Sequence, residues 1–296
     1  MKLQTPVADL NCKVGISYND KITMLGSCFS DNIGRQLADL GFNVCINPFG
    51  TLYNPASILQ SVKRLIDVQS FTKDDCVQIG AGDERFCSFS HHTSFARPGK
   101  EEFTENANDA LCKAATHFAE STKIIITLGT AWCFRHNESG KIVSNCLKRP
   151  AAEFTRERLS TDQTAECLCE IMRICQEKAA ESEQFKAKEF IFTVSPIRHF
   201  KDGAHGNQLS KGTLLIGIDQ AISMQKEINA DYFPSYEIVM DELRDYRFYA
   251  EDMCHPTQQT ADYIRERFLT WALPTNEQSQ LEDNIRSLKR SRHISI

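Results

Sequence analysis

Long hydrophobic runs are missing from this sequence of 296 residues. A membrane-spanning helix needs roughly 18 successive apolar residues, and no segment approaches that length. Residues 1–15 also lack the continuous apolar stretch of a secretion signal. We therefore expect a cytoplasmic protein without a membrane partner.

The sequence also has fewer basic than acidic residues. The chain has 34 lysine and arginine residues against 39 aspartate and glutamate residues, for a net charge of -5 with histidine neutral. The basic residues form no stripe apart from the short segment 289–292. Because a nucleic-acid-binding surface must neutralise phosphates, this composition argues against a nucleic-acid partner.

The 12 cysteines lack the spacing of a metal site. No two of them form a CxxC pair, and the closest two, Cys167 and Cys169, fall in a helical pattern that directs them to different faces. Without a secretion signal, reduced thiols are a better expectation than a disulfide framework. We therefore predict no metal and no other cofactor.

What the sequence does contain is an ordinary globular composition, with 41% hydrophobic and 25% charged residues. It shows no internal repeat and no low-complexity stretch. The chain is long enough to bury a full core. We expect one domain over residues 1–275, with a small hairpin excursion at 70–98, and a polar tail, helical or loose, at 276–296.

Short apolar runs alternate with amphipathic helical patterns over most of the chain. The run at residues 123–130 is rich in β-branched residues and is typical of a strand buried on both faces in a parallel sheet. The alternation predicts an α/β fold with a mostly parallel central sheet. Other predicted strands lie at 13–17, 22–25, 42–46, 189–194 and 236–240, and predicted helices include 161–181, 211–229 and 256–271.

The first candidate site is the turn between the first strand and the first helix, which contains Gly26, Ser27 and Cys28. Such a turn points into the crevice at the carboxyl end of a parallel sheet, where open α/β folds bind ligands. Because a helix N-terminus stabilises negative charge, we expect the pKa of Cys28 to lie below the value of about 8.5 for a free thiol. The alternative is that Cys28 is a small buried packing residue.

The segment 195–208 follows a predicted strand and is dense in polar, glycine and histidine residues. That composition is typical of loops that line a site on a rigid scaffold. Its candidate substrate-binding residues are Arg198, His199, His205 and Asn207. A solvated surface loop is the alternative interpretation.

Near the end of the chain, Asp252 stands three residues before His255, and Pro256 follows at the predicted first turn of the last helix. The carboxylate can accept from one imidazole nitrogen and leave the other to act as a base, as in a triad of nucleophile, histidine and acid. Taken alone, this spacing arises often by chance.

A nucleophile after the first strand and an Asp-x-x-His pair before the last helix are together similar to the GSCFA domain family, within the SGNH (GDSL-like) hydrolase superfamily. The resemblance covers roughly residues 22–271. It is most specific in GSCF at 26–29, NPFGTLYNP at 47–55, SPIRHFKDGAHGNQLSK at 195–211 and DMCHP at 252–256. It implies a three-layer α/β/α, flavodoxin-like fold.

The resemblance also implies roles for individual residues. The first block of the superfamily, Gly-Asp-Ser, falls on residues 26–28, so Cys28 takes the nucleophile position. A rival alignment gives this role to Ser27 and packs Cys28 inward; we favour Cys28. The pair of the last block corresponds to Asp252 and His255.

An oxyanion hole is implied less completely. The second-block glycine, an oxyanion donor, corresponds to Gly50. The third block, Gly-x-Asn, falls on residues 129–131, where Ala131 replaces the asparagine. This leaves Thr130 in the block, with Asn54 or Asn145 as substitutes for the missing donor.

The expected function is that of a hydrolase or acyltransferase acting on an O-acyl ester of a carbohydrate or another small polar molecule. Attack by Cys28 or Ser27 gives an acyl-enzyme, His255 moves the proton, Asp252 holds the imidazole, and backbone N–H groups at 28 and 50 bind the oxyanion. The alternative is a non-catalytic module that binds a carbohydrate or small ligand through residues 195–208. The missing asparagine favours that alternative, the intact Asp-His pair favours an enzyme, and the oligomeric state is left open.

Overall fold

The computed structural model describes residues 5–7 and 12–294. The strands, in chain order, are β1 (Lys21–Gly26), β2 (Asn43–Ile46), β3 (Val77–Gln78), β4 (Phe86–Cys87), β5 (Lys123–Leu128), β6 (Trp132–His136), β7 (Ile142–Val143), β8 (Phe154–Arg158), β9 (Glu189–Val194) and β10 (Ala230–Tyr232). The helices are α1 (Cys28–Asp39), α2 (Pro55–Asp67), α3 (Lys100–Glu120), α4 (Thr161–Glu181), α5 (Gly203–Met224), α6 (Ser235–Glu237), which continues into a π-helix at Ile238–Leu243, α7 (Gln258–Ala272) and α8 (Gln278–Ile294).

Five parallel strands form the central sheet, in the order β2-β1-β5-β9-β10. The chain places β2 on one side of β1 and then returns to add β5 on the other side. Open α/β sheets bind ligands at the carboxyl ends of the strands beside such a reversal. The predicted flavodoxin-like fold with a parallel sheet is confirmed.

Helices cover both faces of the sheet. Helices α2 to α5 pack on one face, and α1, α7 and α8 pack on the other. Strand β5 alternates between the two cores, with Ile124 and Ile126 in the first and Ile125 in the second, as the period of a strand requires. The predicted three-layer α/β/α architecture is therefore confirmed.

Local sequence signals account for several element boundaries. Asn54 caps α2 by accepting the Ser57 N–H at 2.9 Å, and Pro55 occupies the first turn, where its missing N–H costs nothing. Ser160 and Gln163 form a reciprocal capping box at the start of α4. Helix α4 and strand β9 have the predicted bounds.

Two small antiparallel sheets lie outside the central one. Strands β3 and β4 pair within the predicted hairpin excursion. Strands β6 and β7 form a hairpin, and β8 pairs along the other edge of β6. The sequence of β8, FTRER, is polar and lies at the surface, so no apolar alternation marks it as a strand.

Several predicted elements are wrong. Residues 13–17 form no strand, and there the Ile16 N–H donates to the Ala272 carbonyl at 2.9 Å. The last strand is β10, whereas 236–240 is helical, because a short apolar run does not distinguish a strand from a buried helix. Helix α5 begins at Gly203 rather than at 211, so the second half of the predicted loop 195–208 is helical.

The C-terminal segment is a helix packed on the domain. Leu281 of α8 is buried in the second core, and the Asn284 amide donates to the carbonyl of Leu40 at 2.8 Å. In the described part of the chain, no helix has the length and apolar content needed to cross a bilayer.

Candidate functional site

The site is organised by the turn after β1, at the point where the strand order reverses. Gly26 has φ +147°, and a Cβ there would lie 2.2 Å from the carbonyl oxygen of Thr127, so only glycine fits. Its N–H donates to Asn47 Oδ1 at 2.7 Å, and its carbonyl accepts the Leu52 N–H at 2.8 Å. The turn is thus fixed between β5 and the 47–52 loop.

Ser27 caps α1 and points inward. It is 1% exposed, and its Oγ accepts the Phe29 N–H at 3.3 Å. Gly129 encloses it further, since a Cβ on that glycine would lie 3.5 Å from Ser27 Cβ. This placement is that of a helix cap.

Cys28 is the first residue of α1 and is partly exposed. It lines a polar groove of about 470 Å³ between α1, α7 and α8, together with residues such as Asp31 and Asp262. The expected lowering of the Cys28 pKa is wrong for this structure. Burial raises the pKa of the thiol, and the Asp31 carboxylate adds to that rise, against the opposing effect of the backbone N–H groups at 28 and 29 and of Lys211.

Asp252 and His255 are brought together by their loop. Asp252 Oδ2 lies 2.5 Å from His255 Nδ1, and Oδ1 accepts the N–H groups of Cys254 and His255, each at 2.9 Å. The N–H and imidazole hydrogen bonds lower the pKa of Asp252 to about 2. The carboxylate favours the tautomer with the proton on Nδ1, which leaves Nε2 as a proton acceptor. Pro256 lies outside α7, whose N-cap is Thr257, so the predicted helix start at 256 is two residues early.

The segment after β9 joins this loop to the rest of the site. The Arg198 N–H donates to the Cys254 carbonyl at 3.1 Å, and its guanidinium donates to the Met253 carbonyl at 3.2 Å. The same guanidinium lies 4.1 Å from the ring centre of Phe200. Arg198 therefore anchors the loop that carries Asp252 and His255.

His199 lies between the two halves of the site. Its ring stands 6.3 Å from that of Tyr53, and its Nε2 is buried with no hydrogen-bond partner among the described residues. Burial lowers the pKa of His199 to about 4, and a positive charge on Lys211 or His255 acts in the same direction. His199 is therefore neutral at pH 7.

The other two predicted substrate ligands lie elsewhere. Asn207 is buried, and its Oδ1 accepts the backbone N–H of His199 at 2.9 Å, so it holds the loop in place. His205 is exposed in the first turn of α5.

The family comparison agrees with the motifs. A family model described as the GSCFA family matches residues 21–268. The chain belongs to the GSCFA family. No curated protein matches the sequence. Among solved structures, this GSCFA chain matches an acetyl xylan esterase (Est2A) from the rumen bacterium Butyrivibrio proteoclasticus, with 11% sequence identity and a TM-score of 0.40. That match covers 90% of this chain and 66% of the esterase, slightly under two thirds of its length.

The oxyanion donors predicted for this GSCFA protein are mostly engaged elsewhere. The Gly50 N–H donates to the Asn47 carbonyl at 2.7 Å, and the Thr130 N–H donates to the Tyr53 carbonyl at 2.9 Å. The structure therefore argues against both N–H groups as oxyanion donors. Glycine is needed at position 50 for another reason, since φ there is +79° and a Cβ would lie 2.3 Å from that of His92.

The two substitute residues are held in place by backbone N–H groups that donate to their amide oxygens. Asn54 caps α2, and Asn145 Oδ1 accepts the Leu147 N–H at 2.8 Å. The Cys28 N–H, in the first turn of α1, lies beside its own thiol and donates to no other residue within residues 12–294. Among the predicted backbone donors, it is the one that this structure leaves available.

Sequence reasoning missed Lys211. This residue of α5 is 1% exposed, and its ammonium donates to the carbonyls of Gly129 and Ser195, each at 2.7 Å. Burial lowers the pKa of Lys211 to about 7, while a negative charge on Cys28 raises it. Helix α5 starts at Gly203, and Lys211 lies three residues before Leu214 on the buried face of this helix. With the helix start known, that spacing would have predicted a buried lysine.

No metal site accompanies these residues. Within residues 5–7 and 12–294, the structure contains no group of three or more histidine, cysteine, aspartate or glutamate side chains arranged to hold a metal ion.

Proposed function

We propose that this GSCFA protein is an SGNH-like hydrolase or acyltransferase that cleaves an O-acyl ester through an acyl-enzyme. The observation that carries the proposal is the 2.5 Å contact between Asp252 Oδ2 and His255 Nδ1. The pair lies on the loop tied to the segment after β9, and Cys28 stands at the turn after β1. The flavodoxin-like strand order supports membership of the SGNH superfamily.

In the reaction, Cys28 Sγ bonds to the ester carbonyl carbon while its proton passes to His255 Nε2. The Asp252 carboxylate stabilises the imidazolium, and the Cys28 N–H donates to the oxyanion. The carbon–oxygen bond then breaks, and His255 protonates the departing alcohol. In the second half, water or an acceptor hydroxyl attacks the thioester, His255 takes its proton, and the thiolate leaves and is reprotonated.

The ester occupies the space between the nucleophile and the base. No hydrogen bond joins Cys28 to His255 among the described residues, and His199 interacts electrostatically with both Lys211 and His255. Catalytic contacts are commonly long without substrate and shorten in the reacting complex. We therefore place the acyl carbonyl beside Cys28 and the leaving oxygen toward His255.

A carbohydrate alcohol suits the rim of this site. Phe200, Tyr246 and Met253 are 37%, 68% and 46% exposed, respectively, although their side chains are large and apolar. They surround Arg198, whose guanidinium lies 6.0 Å from the Tyr246 ring centre. Flat apolar rings beside a hydrogen-bond donor complement a sugar, whose C–H faces alternate with hydroxyl groups.

The decisive experiment is turnover of p-nitrophenyl acetate by the wild type and Cys28→Ala, with and without a polyol acceptor. We expect p-nitrophenol release by the wild type alone and an acetyl group on the Cys28 peptide after rapid quenching. Acetylated polyol identifies a transferase, and free acetate identifies a hydrolase. Equal release by both proteins, with no acetylated Cys28 peptide, would contradict the proposal.

A non-catalytic binding module is the second candidate, and the raised pKa of Cys28 favours it. It predicts that oligosaccharides raise the Tm of the wild type and Cys28→Ala equally, with no labelling of Cys28 by any acyl donor.

A further inference from the structure

One face of the small sheet formed by β6, β7 and β8 is open to solvent. Side chains alternate between the two faces of a strand. Cys133 of β6 is 1% exposed and packs against the domain, so Trp132 and Phe134 lie on the opposite face. The antiparallel register puts Arg158 of β8 across from Trp132 and Arg156 across from Phe134. We call these four residues the outer face.

Arg156 is fixed in place on the outer face by three contacts. Its guanidinium lies 4.2 Å from the ring centre of Trp132 and 5.8 Å from that of Phe134. It also forms an ion pair with Asp202, whose side chain is 3% exposed. A guanidinium has five N–H donors, and the hydrogen bond to Asp202 uses one of them. The Arg156 side chain is 38% exposed, so the other donors are available to a ligand.

Arg158 is an exposed cation without an acidic partner in the described part of the chain. Its guanidinium lies 5.9 Å from the Trp132 ring centre. Asp202 neutralises Arg156 alone, so the outer face keeps a positive charge although the whole chain has a net charge of -5. A positive surface of this kind complements an anionic ligand.

The outer face borders the candidate site at two points. Strand β6 follows the carboxyl end of β5, and there the Trp132 N–H donates to Thr130 Oγ1 at 3.1 Å. On the other side, Asp202 lies two residues after Phe200, whose ring centre is 4.1 Å from the Arg198 guanidinium. A chain-like ligand bound at the candidate site therefore has a continuous path onto the outer face.

We propose that the outer face is a binding subsite for an acidic oligosaccharide, a chain of uronate sugars. Arg156 and Arg158 bind the carboxylates, for which the planar guanidinium offers two parallel N–H donors. Phe134, which is 38% exposed, contacts the C–H face of a sugar ring, and Trp132 supports both arginines from below. The inference rests on the proposed function, since it takes the ester cleaved at Cys28 to be carried by the same sugar chain.

The spacing of the two arginines favours a chain over a single anion. They stand two residues apart on an antiparallel strand, which separates their Cα atoms by about 6.8 Å. A ligand that binds both must repeat its negative charge, as successive uronates do. Nucleic acid repeats its charge as well, but surfaces that bind it neutralise many phosphates, and the outer face offers two arginines.

The test measures binding of hexagalacturonic acid by isothermal titration calorimetry to the wild type, Arg158→Ala, Arg158→Lys and Phe134→Ala. Neutral xylohexaose is the ligand control. Arg286→Ala, at an arginine of α8 whose side chain is 59% exposed, is the protein control. Circular dichroism first shows that each variant is folded.

Arg158→Ala should raise the Kd for hexagalacturonic acid about tenfold or more, because a charge-assisted contact is lost. Arg158→Lys should fall between Arg158→Ala and the wild type, since an ammonium keeps the charge without the paired donors. Phe134→Ala should also weaken binding, whereas Arg286→Ala should match the wild type. The wild type should bind xylohexaose at least about tenfold more weakly than the acidic chain.

Three results would overturn the inference. The first is an equal Kd for hexagalacturonic acid in the wild type and Arg158→Ala. The second is equal affinity of the wild type for the acidic and the neutral hexasaccharide. The third is tighter binding of a thymidine hexanucleotide than of hexagalacturonic acid, which would assign the outer face to nucleic acid.

A second measurement locates the ligand by NMR. The chain has two tryptophans, Trp132 on the outer face and Trp271 on α7, so their indole N–H resonances report on separate places. Hexagalacturonic acid should shift the resonance of Trp132 and leave that of Trp271 unchanged. A shift of Trp271 alone, or of neither indole, contradicts the placement.

Both readouts use a probe without an ester and are independent of turnover. If the wild type cleaves no ester but binds hexagalacturonic acid through Arg158, the proposed reaction fails and the subsite stands. If esterase activity is present and the acidic chain does not bind, only the subsite fails.

Discussion

The backbone N–H of Arg198 donates to the carbonyl oxygen of Cys254 at 3.1 Å, which joins the segment after β9 to the loop of Asp252 and His255. The Arg198 guanidinium adds a bond to the Met253 carbonyl. The position of His255 therefore depends on Arg198, which within the described residues makes no hydrogen bond to Asp252 or His255.

Arg198→Ala should lower kcat on the order of tenfold to a hundredfold. Without the bond from the guanidinium to the Met253 carbonyl, the loop no longer holds His255 firmly in position relative to the ester. The Tm should change little. Steady-state kinetics and thermal melts check this, with Arg244→Ala, at an exposed arginine, as the control. Unchanged kinetics in Arg198→Ala would show that the loop holds its shape unaided.

Asp252→Asn should reduce kcat by about three to four orders of magnitude while preserving the fold, since the amide no longer stabilises the imidazolium. His255→Ala should do at least as much. Both side chains are about half exposed, so neither change removes core packing. Near-normal turnover of acetyl esters by both variants would mean that the pair only shapes the loop before α7.

Gly26→Ala should destabilise the protein by more than about 3 kcal/mol or prevent folding, because the new Cβ meets the Thr127 carbonyl at 2.2 Å. Gly212→Ala, in α5 with open space around its Cβ, should instead stabilise by about 0.5–1 kcal/mol. Urea unfolding of the two variants measures the contrast. Similar midpoints would show that the turn adapts to a side chain.

Stability should fall with acidification because of His91. Burial lowers the pKa of His91 to about 3, and the nearby Arg64 charge adds to this. The unfolded chain binds this proton below its ordinary pKa of about 6.5, whereas the folded chain does not. The free energy of unfolding therefore has its full value above about pH 6.5 and declines as the pH falls toward 3. At about pH 4.5 the loss is on the order of 2 kcal/mol.

Urea titrations at both pH values check this for the wild type, His91→Leu and His205→Leu. His91→Leu should show a shallower dependence on pH, whereas His205→Leu, at an exposed position, should follow the wild type. Parallel slopes in all three proteins would place the acid sensitivity at other groups, among which His199 is the first to examine.

The sequence predicts the layers of this fold well because its buried strands carry unbroken apolar runs. It fails at β8 and at the first two turns of α5, where polar residues and glycines show no apolar period and only pairing or helix contacts define the element. Lys211 was missed for the same reason. A helix that starts at 211 would place this lysine in the first turn, exposed to solvent. In the structure α5 starts at Gly203, and Lys211 lies on the face of the helix that packs into the core.

The site was predictable in position but not in electrostatics. A strand-to-helix turn places Cys28 correctly at the sheet edge, and the Asp252 and His255 spacing gives the contact that the loop makes. The pKa of Cys28 depends on how completely its surroundings exclude water. That property follows from tertiary packing around α1 and is not encoded in the turn itself.

The proposal that Cys28 rather than Ser27 attacks the ester rests on the two different positions of these residues at the start of α1. Ser27 is 1% exposed and accepts the Phe29 N–H as the helix cap, whereas Cys28 reaches the polar groove. Ser27→Ala should therefore cost about 1 kcal/mol of stability, the usual value of a lost cap, and retain most of the activity. Cys28→Ala should keep the Tm and abolish turnover.

Unfolding curves and acetyl ester kinetics on both variants separate the two effects. An active Cys28→Ala beside an inactive, fully folded Ser27→Ala would mean that Ser27 leaves its capping position to attack, and the thiol would then be a packing residue behind a serine triad.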